Sequence, residues 1–192
     1  RMIDINQAIA GLSWQRKPQG LYAPIAYTLE GGGKRLRPTL AMIACRMYDG
    51  DEHKALPVAL ALEIFHNFTL LHDDVMDQAP VRRGRPTVHT KWDNNTAILS
   101  GDQMMTEAYI QLETVDPVLL PEVLHRFNGM AEDIWRGQQL DIEFERRSDV
   151  TLEEYLEMIR LKTSALLGAA LQLGGLVAGA PEADGQRLYR IG

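Results

Sequence analysis

Cysteine is nearly absent: Cys45 is the only one among 192 residues. No disulfide can form within the chain, which excludes a stapled secreted scaffold and favours a reducing cytosol. Cys45 itself reads as a small buried residue in an apolar stretch. Long hydrophobic runs are also missing. The longest, residues 165–180, is interrupted by Gln172 and loaded with Gly and Ala. It falls short of the roughly 20 apolar residues of a membrane span, and fits a buried helix with close backbone contacts. Residues 1–14 mix charges and amides into their apolar positions, so no signal peptide is visible. With that, the expected location is cytoplasmic; Arg1 reads as a trimmed or tagged start. Net positive charge is lacking too. At −6 overall, non-specific nucleic-acid binding is disfavoured, and any polyanion must be held by local basic clusters. No repeat, low-complexity tract or long linker divides the chain, and 45% hydrophobic with 24% charged residues is ordinary for one globular domain over 1–192.

Strand-type alternation is almost absent, and helical period dominates. The pattern predicts helices at about 3–14, 36–48, 56–76, 95–113, 121–144, 152–160, 162–179 and 182–190. Pro57 is placed at the start of the long third helix. Thr151 with Glu154 forms a capping-box signature. The reading is all-α.

The most informative segment is Leu70-Leu71-His72-Asp73-Asp74-Val75-Met76-Asp77, followed by Arg82-Arg83-Gly84. Asp73 and Asp77 stand at i and i+4, so their carboxylates share a helix face. Two hard oxygen ligands at that spacing suit Mg²⁺ that also binds a substrate phosphate. The arginine doublet offers forked donors that a diphosphate accepts bidentately. Gly31-Gly32-Gly33-Lys34-Arg35-Leu36-Arg37-Pro38 is the second signal. Its glycines let backbone approach a ligand, and they lead into a helix N-terminus that favours an anion. Lys34 and Arg37, three apart, can converge on one phosphate. His66 lies two turns before Asp73 on the same helix. His72 and Asp74 read as supporting residues, His89 as capping or orienting its loop, and His125 as structural.

Together these segments resemble the trans-isoprenyl diphosphate synthase (polyprenyl synthetase) family. Gly101-Asp102, Gly137-Gln138-Gln139-Leu140-Asp141 and Lys162-Thr163 match later landmarks of that family in order. The resemblance implies an isoprenoid synthase-type helical bundle around a central cavity, usually a homodimer, using Mg²⁺. It implies that Asp73 and Asp77 bind the metal at the allylic diphosphate, which Arg82 and Lys162 also contact. It gives Lys34, Arg37, His66 and Arg83 to isopentenyl diphosphate, and places Thr163, Gln138 and Asp141 at the reaction centre. The implied chemistry is ionisation of the allylic diphosphate, attack by the isopentenyl double bond, and proton loss, with no protein nucleophile.

The family's second aspartate-rich motif has no counterpart here, and Tyr189-Arg190-Ile191-Gly192 resembles the lead-in to it. The expectation is therefore the N-terminal part of a longer enzyme, inactive when ended at Gly192. Phe68 and Thr69 stand five and four residues before Asp73, where the family limits product length. Five residues is about 7–8 Å along a helix, which resembles enzymes making C15–C20 products, geranylgeranyl diphosphate first. Two rivals remain: a non-catalytic modulatory subunit, and a class I terpene cyclase. The second cationic cluster argues against the cyclase, which binds one diphosphate only.

Overall fold

The computed structural model describes residues 3–192; Arg1, read above as a trimmed start, lies outside them. The long helix α4 (Glu52–Asp77) is the axis of the fold. Asp51 caps it by accepting the amide of His53, and Gln78 ends it in the left-handed region at φ 50°. Around it pack α1 (Ile5–Ala10), α2 (Gln19–Glu30), α3 (Leu36–Met47), α6 (Asn94–Leu112) and α9 (Ala165–Val177). Helix α7 (Leu120–Phe144) lies against α6 and α9, with α8 (Leu152–Ile159) beside it, while α10 (Glu182–Ile191) covers α9. Between α4 and the short α5 (Val88–Lys91) the chain makes a small antiparallel hairpin, β1 (Val81–Arg82) with β2 (Arg85–Pro86).

The core is continuous from Ile5 to Val177. Its centre holds Leu62, Ile64, Phe65, Met104, Phe127 and Leu173, all fully buried. Each such side chain contributes about 1.5–3 kcal/mol by leaving water. Phe65 meets Phe127 edge-on at 5.3 Å, a geometry the ring quadrupoles favour. Helix α4 is long and apolar enough to cross a membrane, but 67% of its apolar window is buried in the fold, as a core helix requires. Helices α3 and α9 cross so closely that a Cβ on Gly174 would overlap the carbonyl of Ala41. That is the close backbone approach expected of the Gly/Ala run.

Several boundaries correct the sequence expectation. The first helix is α1 at 5–10, not 3–14, because Gly11 ends it. Helix α2 was not foreseen at all. Pro57 lies inside α4, in its second turn, since capping by Asp51 starts the helix earlier. The Thr151–Glu154 capping box is present. The helix expected at 162–179 instead begins with a π-helical turn, Arg160–Ser164, continuing into α9 at Ala165.

Candidate functional site

The glycine loop, α4 and the hairpin tip enclose a cleft of about 310 Å³, lined by Lys34, Arg37, His66 and Arg83 together with Gly33 and Glu63. All four residues assigned to isopentenyl diphosphate by resemblance thus line one cleft. Arg37 Nη1 lies 3.2 Å from His66 Nε2. A guanidinium can only donate, so the imidazole accepts at Nε2 and carries its proton on Nδ1. Burial, then the charges of Arg37 and Arg83, push the His66 pKa down to about 3. Arg37 is lowered as well, mainly by burial, and its Nε is buried without a partner. Lys34 stands exposed at the rim. Arg83, at the hairpin tip with φ 52°, donates from Nη1 to the carbonyl of Gly32. A neutral histidine among three cations leaves a cleft suited to a polyanion.

Behind this cleft lies an arrangement that the motif reading missed. Arg35 turns inward at φ 48° as the N-cap of α3, away from Lys34 and Arg37. Its guanidinium donates to Glu63 Oε1 at 2.6 Å, Leu29 O at 2.7 Å and Asn6 Oδ1 at 3.2 Å. Asn67 Nδ2 donates to the same Glu63 oxygen at 3.0 Å. Glu63 therefore belongs to a buried ion pair. The available signals were a glutamate and an asparagine one turn apart within an apolar helix.

The second group gathers at the C-terminal end of α4. Asp73 is half-buried and Asp77 exposed. Burial, then the neighbouring Asp73 charge, raises the Asp77 pKa. Two carboxylates at the negative end of a helix repel each other and the dipole, so the pair favours a cation. Gln138 Nε2 donates to Asp73 Oδ1 at 3.1 Å. Lys162 Nζ donates to Asp141 Oδ2 at 2.6 Å. Burial works against the lysine's charge, but Asp141 and the Asp73 charge outweigh it and raise its pKa. Lys162 and Thr163 sit on the π-helical turn, a distortion frequent at functional sites. It presses on Gly137, where any Cβ would overlap the backbone of Lys162. Arg82 is taken by Asp74 instead of Asp73, through Nε and Nη2, both at 2.8 Å. Thus Asp74 has a defined structural partner, and Nη1 of Arg82 is left for other acceptors.

Among the described residues no three His, Cys, Asp or Glu side chains converge as a metal cage. Asp73 and Asp77 alone still fit a hard divalent cation that takes its remaining ligands from phosphate and water. Phe68, one turn deeper, is buried and packs against Phe65, Trp135 and His72. Thr69 donates its hydroxyl to the His66 carbonyl at 2.6 Å. His72 Nε2 lies 2.9 Å from Ile98 O, and His125 is exposed. His89 Nε2 is 3.4 Å from the Thr87 hydroxyl.

The family model for polyprenyl synthetases matches residues 18–192. The chain belongs to the polyprenyl synthetase family. It is 39% identical to a geranylgeranyl diphosphate synthase of Methanosarcina mazei, over 100% of this chain and 60% of that protein. A (2E,6E)-farnesyl diphosphate synthase of Mycobacterium tuberculosis is 39% identical over 83% of this chain and 45% of its own length. The structure of a geranylgeranyl pyrophosphate synthetase from Geoglobus acetivorans superposes with a TM-score of 0.94 at 37% identity, covering 98% of this chain and 62% of that one. The chain thus spans at most about three-fifths of these relatives. The isoprenoid synthase helical fold is shared by these polyprenyl synthetases, and the two groups described above lie on it.

Proposed function

We propose that this polyprenyl synthetase is a trans-prenyltransferase that condenses isopentenyl diphosphate with an allylic diphosphate to give a C15–C20 product, geranylgeranyl diphosphate foremost. The observation that carries this reading is the pairing of two separate phosphate-compatible groups. One is the Lys34/Arg37/His66/Arg83 cleft; the other is the acid pair with Arg82 and Lys162. An enzyme that joins two diphosphate esters needs both. The names of the relatives support the substrate class and the product range.

In this mechanism Lys34, Arg37 and Arg83 bind the diphosphate of isopentenyl diphosphate, while neutral His66 orients Arg37. Asp73 and Asp77 would hold Mg²⁺, which when bound would neutralise charge on the allylic diphosphate. Arg82, fixed by Asp74, and Lys162 add donors for the same leaving group. Gln138 keeps Asp73 oriented, and Asp141 keeps Lys162 over the site with Thr163 beside it. Phe68, with Thr69 a residue nearer the metal, closes the depth to which the growing chain extends. Phe65, fully buried behind Phe68, adds apolar surface that disfavours water, which would otherwise quench the allylic carbocation.

The same proposal takes residues 1–192 as one domain of a cytoplasmic homodimer, with no nucleic-acid or membrane partner. Its test uses the full natural protein with labelled isopentenyl diphosphate, geranyl or farnesyl diphosphate and Mg²⁺. A discrete C15 or C20 product, lost on adding EDTA, is expected. No elongation with any starter would refute the reading in favour of a modulatory subunit, and a cyclised hydrocarbon would favour a terpene cyclase.

A further inference from the structure

The hairpin that carries Arg82 and Arg83 is held at both ends, and only one end has an evident reason. Arg82 on β1 is tied to α4 by Asp74. On β2, Arg85 lies over the ring of Tyr27, its guanidinium carbon 3.9 Å from the ring centroid. Its Nη1 donates to the Tyr27 carbonyl at 3.3 Å, and the Tyr27 hydroxyl donates to the carbonyl of Pro86 at 2.7 Å. Tyr27 and Arg85 thus latch β2 onto α2.

The latch also sets the hairpin against the glycine loop. A Cβ on Gly31 would stand 3.2 Å from Arg85 Nη1, and one on Gly33 would stand 3.1 Å from Arg83. Each of these arginines therefore closes over one glycine, two residues apart on both strands of the contact. Beneath the hairpin a cavity of about 50 Å³, lined by Tyr27, Asn67, Asp74 and Arg85, is unfilled by side chains. Packing from below does not fix the tip, whose residues Arg83 and Gly84 both have positive φ, 52° and 76°. Without the latch the hairpin keeps the Arg82–Asp74 pair, the Arg83 bond to the Gly32 carbonyl and the bonds of Thr87 to Ala79 and Pro80 at its base, but β2 is no longer tied to α2.

We infer that Tyr27 and Arg85 are positioning residues, which register Arg83 on the glycine loop and so set the affinity for the non-allylic diphosphate. This rests on the proposed function for the identity of that ligand. Neither residue touches the substrate; both act through Arg83.

The test compares wild type, Arg85→Met, Tyr27→Phe, Arg83→Met and the Arg83→Met/Arg85→Met double variant of the full natural protein. It measures kcat, both KM values, and calorimetric binding of isopentenyl diphosphate. Losing a cation–π contact and a hydrogen bond at a half-exposed site predicts a rise of about five- to tenfold in KM for isopentenyl diphosphate with Arg85→Met. The allylic KM and kcat stay within about twofold, and Tyr27→Phe, which loses only the hydroxyl, shows a smaller rise. In the Arg83→Met background Arg85→Met adds less than about twofold, because its effect passes through the missing side chain. An unchanged KM, equal losses for both substrates, or additive effects in the double variant would overturn the inference. If wild type binds isopentenyl diphosphate with this ranking but turns nothing over, the proposed function fails and the latch stands. Absence of binding overturns both.

Discussion

Arg35→Met should be among the most destabilising single substitutions outside the apolar core. Arg35 and Glu63 are 9% and 4% exposed, and their contact at 2.6 Å is shielded from screening. Methionine keeps much of the side-chain volume but removes all three bonds of the guanidinium. Glu63 would then keep only Asn67 as a donor, and the Leu29 carbonyl would lose its partner. Breaking a buried pair from one side costs about 3–5 kcal/mol, because a charge is left without its counter-ion. Against a total of roughly 5–15 kcal/mol, that is a large fraction. With a urea slope near 2 kcal/mol/M, the midpoint falls by about 1.5–2.5 M at unchanged slope. The decisive arm is Arg35→Met/Glu63→Leu, which removes the charge as well as its partner. It should recover about 2 kcal/mol relative to the sum of the two single variants. The cleft reads the same event, since an uncompensated Glu63 repels a diphosphate. A loss below about 1 kcal/mol for Arg35→Met, or strict additivity in the double variant, would refute the ion pair as the support of the glycine loop.

Gly174→Ala places a Cβ in the Ala41 carbonyl, and backbone cannot rotate aside, so a loss of about 1–3 kcal/mol or more is expected in thermal or urea unfolding. Gly185→Ala, with only Gln172 Cγ at 3.9 Å, should gain about 0.5–1 kcal/mol from helix propensity; equal effects at the two sites would sink the close-crossing argument. His66 has its pKa pushed down from 6.5 to about 3, so the unfolded chain takes up a proton there before the folded one does. Its contribution to stability is full above pH 6.5 and is lost as pH falls toward 3; a His66 ring that titrates near 6.5 by NMR would disprove this. Phe68→Ala opens the wall beside Trp135 and should shift products toward longer chains, with an unchanged distribution counting against Phe68 as the floor.

What the sequence made legible was short-range. Asp73 and Asp77 declare a shared face by their spacing, and the capping box at Thr151 needs only three residues to be read. The Gly31–Arg37 loop was likewise readable as a cationic turn. But nothing local separates the fates of Lys34, Arg35 and Arg37. Partners elsewhere in the fold sort two of them: Arg35 turns in to Glu63 and the Leu29 carbonyl, Arg37 turns to His66 in the cleft, and Lys34 stays exposed at the rim. Helix α2 escaped notice for a related reason. Gly20 and Pro24 interrupt its pattern, yet its seat against α4 and α6 overrides their weak intrinsic preference. The π-helical turn at Arg160–Ser164 has the composition of ordinary helix; its extra residue is accommodated where Gly137 lets the backbone of Lys162 come close. Hence the chemistry was written in motifs, while the orientation of each motif is set by one or two distant residues: Glu63 for the glycine loop, Asp74 and Tyr27 for the arginine hairpin, Gly137 for the lysine turn. A substitution at Glu63 or Tyr27 should disturb the site although neither residue belongs to a motif that the sequence declares.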